Sequence, residues 1–98
     1  MVNDKMVNGF MNTIEGFKLR KLGNEYILVG ESMALINFNK MITLNETAAF
    51  LWKKAEEGPF DVNSLCAALC EEYDVSAEKA MLDVQATIDS WKEAGVIE

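Results

Sequence analysis

The stretch Lys40–Ala55, KMITLNETAAFLWKKA, decides the fold. It passes from a strand through a helix cap into an amphipathic helix with almost no linker. In Met41–Leu44 the β-branched Ile42 and Thr43 stand between Met41 and Leu44, a pattern suited to a pleated, half-buried strand. Asn45 is a favoured N-cap residue, because its side-chain oxygen accepts from free N–H groups of the first helical turn. Glu46 follows, where a carboxylate suits the positive end of the helix. Ala48, Leu51, Trp52 and Ala55 then recur at helical spacing and define one buried face. The strand is thereby locked to the helix in orientation, and its open edge is the first place to look for function.

Upstream, Phe17–Leu22 and Glu25–Val29 read as two strands around Gly23-Asn24. A two-residue loop with Gly first suits a type II′ turn, so the pair predicts a β-hairpin. Phe17, Leu19 and Lys21 share one face, with Lys18, Arg20 and Leu22 on the other. Tyr26–Val29 is apolar on both faces, which predicts the middle position of a small sheet. Gly30–Ser32 breaks that strand. Met33–Asn39 reads either as a strand or as an irregular loop laying Leu35, Ile36 and Phe38 on the core. Met1–Gly16 shows no period and predicts a flexible N-terminal segment, with Phe10, Met11 and Ile14 as candidates for packing.

Downstream, a first helix over Glu46–Glu57 is stopped by Gly58-Pro59. Phe60 packs down and Asp61 caps a second helix, whose apolar stripe is Val62, Leu65, Cys66, Leu69, Cys70 and Tyr73. Ser76 caps a third over Ala77–Ala94, striped by Ala77, Ala80, Met81, Val84, Ile88 and Trp91. Gly95 is placed to end it, and Val96-Ile97 to fold back onto the core. The expected architecture is α+β: a small three-stranded antiparallel sheet followed by three helices, a winged helix-turn-helix-like layout over residues 17–98 behind a flexible segment 1–16.

Composition narrows the function. The chain has 98 residues, half of them apolar, enough for one domain with its own core. Its formal charge of −7 opposes nucleic-acid binding, which needs a positive face to displace counterions from phosphates. The third helix carries Glu78, Asp83, Asp89 and Glu93 against Lys79 and Lys92, leaving Gln85 as its sole base-reading candidate. The sequence contains no His, the commonest general base and metal ligand. Cys66 and Cys70 lie four apart on a helix, yet two thiols without a third ligand close no zinc site. Their spacing continues the apolar stripe, so they read as packing residues, and a catalytic thiol is the lesser alternative. No run reaches the ~18 apolar residues of a membrane span. The polar first residues, with Asp4 among them, are unlike a secretory signal, and cytoplasm is the expected compartment.

Two strands of a three-stranded sheet are edges, whose free N–H and C=O groups pair readily with another chain. Met41–Leu44 carries neither of the usual protections, charge or proline. Beside a long helix such an edge forms a groove for strand addition by a peptide. The N-terminal segment or a second copy of the chain are the other candidates to cover it, so both monomer and homodimer stay open. The acidic rim of the third helix reads as a solvated face or as an attractor of basic peptide residues.

The run Leu44-Asn45-Glu46-Thr47-Ala48, followed by Phe50-Leu51-Trp52, resembles the signature of the PqqD family, named for coenzyme PQQ synthesis protein D. Phe60-Asp61-Val62, Leu65, Leu69, Glu72-Tyr73, Asp83-Val84 and Gly95-Val96-Ile97 continue the likeness, which covers about Phe17 to Ile97. The chain departs in having Gly30-Glu31 where many relatives have Pro-Glu, and a longer loop to Leu44. The resemblance implies a RiPP recognition element: a non-catalytic protein without a cofactor of its own. Such a protein binds the leader of a ribosomally made precursor peptide and presents it to a modifying enzyme, often a radical SAM enzyme. It implies that the leader adds to the third strand at Met41, Ile42 and Thr43, opposite a third-helix side for which Lys79, Asp83 and Thr87 are the positional candidates. The rival readings are a winged-helix DNA-binding regulator and an adaptor that dimerises through the same edge.

Overall fold

The computed structural model describes residues 10–30 and 42–98. Strands β1 (Phe17–Leu22) and β2 (Glu25–Gly30) form the expected antiparallel hairpin. Leu22 pairs with Glu25 across the Gly23-Asn24 turn. Gly23 has φ +62° and no described non-glycine residue has positive φ. That combination marks a type II′ turn, since type I′ would need positive φ at both central residues. Strand β3 (Ile42–Leu44) pairs with β2, so the order β1-β2-β3 puts the doubly apolar strand in the middle. Lys21 stands opposite Tyr26, with its Nζ 5.7 Å from the ring centroid, on the face shared by Phe17 and Leu19. The Met33–Asn39 reading and Met41 lie outside the described residues.

Helix α1 (Glu46–Ala55) starts as its sequence dictates: Asn45 Oδ1 accepts from the Ala48 N–H at 2.7 Å. It buries Ala48, Ala49, Leu51, Trp52 and Ala55. Helix α2 (Val62–Glu72) begins with a reciprocal cap. Asp61 Oδ1 accepts from the Ser64 N–H at 2.7 Å, and Ser64 Oγ accepts from the Asp61 N–H at 3.0 Å. Its buried seam is narrower than predicted. Leu65 and Leu69 are buried, Cys66 is half-buried and Cys70 is exposed. Each step of four residues advances about 40° around the axis, so the Val62–Cys66–Cys70 row drifts out of the seam.

Helix α3 (Ala77–Ala94) is capped by Ser76, whose Oγ accepts from the Lys79 N–H at 3.1 Å. Ala80, Val84, Ile88 and Trp91 are buried, whereas Ala77 and Met81, expected on the same stripe, are exposed. Periodicity sets which face is apolar but not how far along the helix its neighbours reach. Gly95 ends the helix at φ +79°, a left-handed cap that favours glycine. Val96 and Ile97 then return to the core.

The expected flexible segment, 1–16, is partly built into the fold. Met11 and Phe60 exchange backbone hydrogen bonds at 2.7 and 2.9 Å, Asn12 and Glu98 exchange two at 2.8 Å, and the Ile14 N–H donates to the Val96 carbonyl at 2.9 Å. Residues 11–14 therefore clamp the C-terminal tail and the loop before α2. At the centre, Trp91 meets Trp52 and Phe60 edge-to-face, with centroids 5.2 and 6.4 Å apart. Such pairs add about 0.5–1.5 kcal/mol each beyond their burial. No helix among the described residues is long and apolar enough to cross a membrane.

Candidate functional site

The site starts from hydrogen-bond parity. The type II′ turn makes Leu22–Glu25 a hydrogen-bonded pair, and such pairs alternate with non-bonded ones along an antiparallel ladder. Along β2, Glu25, Ile27 and Val29 therefore point their backbone groups at β1, while Tyr26 and Leu28 point theirs at β3. Tyr26 pairs with Leu44, Leu28 with Ile42 and Ile27 with Thr43. It follows that Ile42 and Leu44 spend their N–H and C=O groups on β2. Thr43 directs both of its own away from the sheet. No other described strand pairs with that edge, and the described part of the N-terminal segment runs elsewhere, against Phe60 and the C-terminal tail.

The two sheet edges differ in chemistry. β1, the opposite edge, carries Lys18, Arg20 and Lys21, the charges that discourage pairing with another chain. The described β3 has no charged residue. Beside β3 lies a hollow of about 220 Å³ lined by Thr43, Leu44, Asn45, Ala48, Ala86, Thr87, Ser90 and Trp91. Ala86 and Ser90 keep the α3 wall low, and buried Trp91 gives the hollow a rigid apolar base.

Of the residues anticipated from sequence, Thr43 and Thr87 come together on this hollow. Thr87 Oγ1 donates to the Asp83 carbonyl at 2.8 Å, so the hydroxyl proton is engaged and a methyl and an acceptor remain to offer. Lys79 and Asp83 do not line it. They form an exposed ion pair along α3, with Nζ 2.7 Å from Oδ1. Ile42 is half-buried and packs against the core. Asn45, Ala48, Ala86, Ser90 and Trp91 line the hollow without having been singled out for it. Two signals were available: Asn45 caps the helix directly after the strand, and Ala86 and Ser90 repeat at four-residue spacing beside Thr87.

The family model for coenzyme PQQ synthesis protein D (PqqD) matches residues 25–97. The chain belongs to the PqqD family. That match spans β2 through the C-terminal tail, and with them both walls of the groove. No curated protein is similar in sequence at a significant level. Among solved structures, the PqqD-family chain is similar to TbiB1 in complex with the TbiA(beta) leader peptide. There the TM-score is 0.71 at 16% identity, over 89% of this chain and 94% of the other. It is also similar to lasso peptide synthetase B1 complexed with the leader peptide, with TM-score 0.68 at 20% identity, over 90% and 96% of the two chains. At these identities the likeness is one of fold.

The remaining chemistry of this PqqD-family chain is sparse. Among the described residues no group of three His, Cys, Asp or Glu stands close enough to hold a metal ion. Burial, then the nearby Cys70 and Asp61 charges, push the Cys66 thiol above its ordinary pKa, away from the thiolate form that a nucleophile needs. Exposed Glu78, Asp89 and Glu93 keep the surface of α3 acidic, a poor match for a phosphate backbone.

Proposed function

We propose that this chain is a non-catalytic peptide-binding adaptor that captures the leader of a ribosomally made precursor peptide by strand addition to β3. It presents the rest of that peptide to a modifying enzyme of the radical SAM class. One observation carries the reading: the N–H and C=O of Thr43, with which no other described strand pairs, face outward beside a hollow walled by α3. A guest strand pairs with Thr43, and its alternate side chains fall over Ala86, Thr87 and Ser90. Thr43 supplies the pairing atoms on the strand side, and Thr87 meets the guest from the helix side. Membership of the PqqD family supports the reading, as do the leader peptides bound to TbiB1 and to lasso peptide synthetase B1. Holding the leader raises the effective concentration of the substrate at the enzyme, into the millimolar range for short tethers. The chemistry and its cofactors reside in the enzyme.

The test is an NMR titration of the isotopically labelled chain with precursor leader peptides. Amides of Ile42–Leu44, Ala86, Thr87 and Ser90 are expected to shift together and to saturate at one stoichiometry. Binding with shifts confined to other elements would overturn the assignment.

A further inference from the structure

A second, larger hollow of about 540 Å³ lies between α1 and α2. Half-buried Phe50 and Ala68 and exposed Pro59 and Ala67 wall it, over the buried Phe60 and Leu65. No residue of β3 or α3 lines it, and it shares no residue with the hollow beside β3, so the two can be filled at once.

Its rim is acidic. Glu57, Glu71 and Glu72 stand against a single cation, Lys54. That cation is already committed: its Nζ lies 3.8 Å from Glu57 Oε2 and 5.7 Å from the Phe50 ring centroid. Glu71 and Glu72 also end α2 with no basic residue in its last turn. Carboxylates there oppose the helix dipole, so helix stability does not account for them. Apolar patches at Phe50, Pro59 and Ala68 under a net negative rim complement an apolar side chain carried between Lys or Arg residues.

An adaptor needs one surface for the peptide and another for the enzyme. Resting on the reading above, we propose that the α1–α2 cleft is the docking site for the modifying enzyme. It receives a basic amphipathic helix of that enzyme. One apolar side chain enters over Phe50, Pro59 and Ala68, and flanking Lys or Arg residues meet Glu71 and Glu72.

The probe is a synthetic amphipathic peptide built from Leu, Phe, Lys and Arg, with a control in which Glu replaces each basic residue. Titrated into the full labelled chain, the basic peptide should shift the amides of Phe50, Gly58, Leu65 and Ala68 and leave Ile42–Leu44 unmoved. Glu71→Lys combined with Glu72→Lys should weaken binding at least about tenfold. Both side chains are exposed, and cooperative melting verifies the fold; Ala67→Trp, which blocks the cleft without changing charge, should weaken it similarly. Shifts confined to the Asp89 and Glu93 surface of α3, equal binding of the acidic control, or parental affinity in both variants would overturn the proposal. A leader titration read at Thr43 reports on the other groove, so failure at either site is recognised independently.

Discussion

Thr43→Pro isolates the atom on which strand addition depends. Proline deletes the Thr43 N–H, which faces the open edge, and leaves the bonds that Ile42 and Leu44 make to β2. A guest strand loses one backbone hydrogen bond, worth about 0.5–1.5 kcal/mol, and its carbonyl is left unpaired in a narrowed groove. Together these cost about 1–3 kcal/mol, or roughly 5- to 150-fold in affinity. Proline also holds φ near −65° where an antiparallel strand prefers about −140°, so a small loss of stability is expected as well. Lys21→Pro is the matched control. By the same parity Lys21 points its N–H away from β2, but at the opposite edge, so it carries the proline strain without touching the guest. Fluorescence anisotropy of a labelled leader peptide that binds the parent chain, with thermal melts alongside, reads both effects. A folded Thr43→Pro variant with parental affinity would refute strand addition at β3, and so would equal weakening by Lys21→Pro.

Other consequences follow from the same geometry. Ala86→Trp should fill the hollow from an exposed position, reducing leader affinity at least about tenfold while stability stays within ~0.5 kcal/mol, checked by anisotropy and denaturant melts. Trp91→Ala removes the ring shared by the Trp52 and Phe60 contacts and should cost about 3–5 kcal/mol, lowering Tm by more than ~12 °C in calorimetry. Cys70, exposed, should react with a thiol reagent before half-buried Cys66. Because burial raises the folded Cys66 pKa, its contribution to stability should be complete below the ordinary thiol pKa and fade as pH rises through the folded value. Alkaline melts of Cys66→Ala against the parent would detect this as a shallower decline in the variant.

Local chemistry carried most of the fold. Gly23-Asn24 dictates a turn of one hand, Asn45, Asp61 and Ser76 each accept from an N–H of the turn they cap, and Gly95 supplies the left-handed residue that ends α3. These are interactions among neighbours, so the residues alone specify them. The edge character of β3 was legible too, from the absence of charge or proline in Ile42–Leu44 and from the resemblance carried by LNETA.

Burial depth and long-range partners were not local. Met81 sits on the apolar stripe of α3 yet is 43% exposed, because a neighbour's reach along a helix has no signature in the helix itself. Met11–Ile14 lacks any period, and only tertiary pairing with Phe60, Val96 and Glu98 turns it into structure. The same holds for the groove. The resemblance offered Lys79, Asp83 and Thr87 as positional candidates on the helix side, but the crossing of α3 past β3 leaves Lys79 and Asp83 paired outside and draws Ala86, Ser90 and Trp91 in. Sequence by itself determined which elements form and which strand is left unprotected, since both depend on adjacent residues. Tertiary structure decided which side chains face that strand, because a contact between distant segments depends on how whole helices pack.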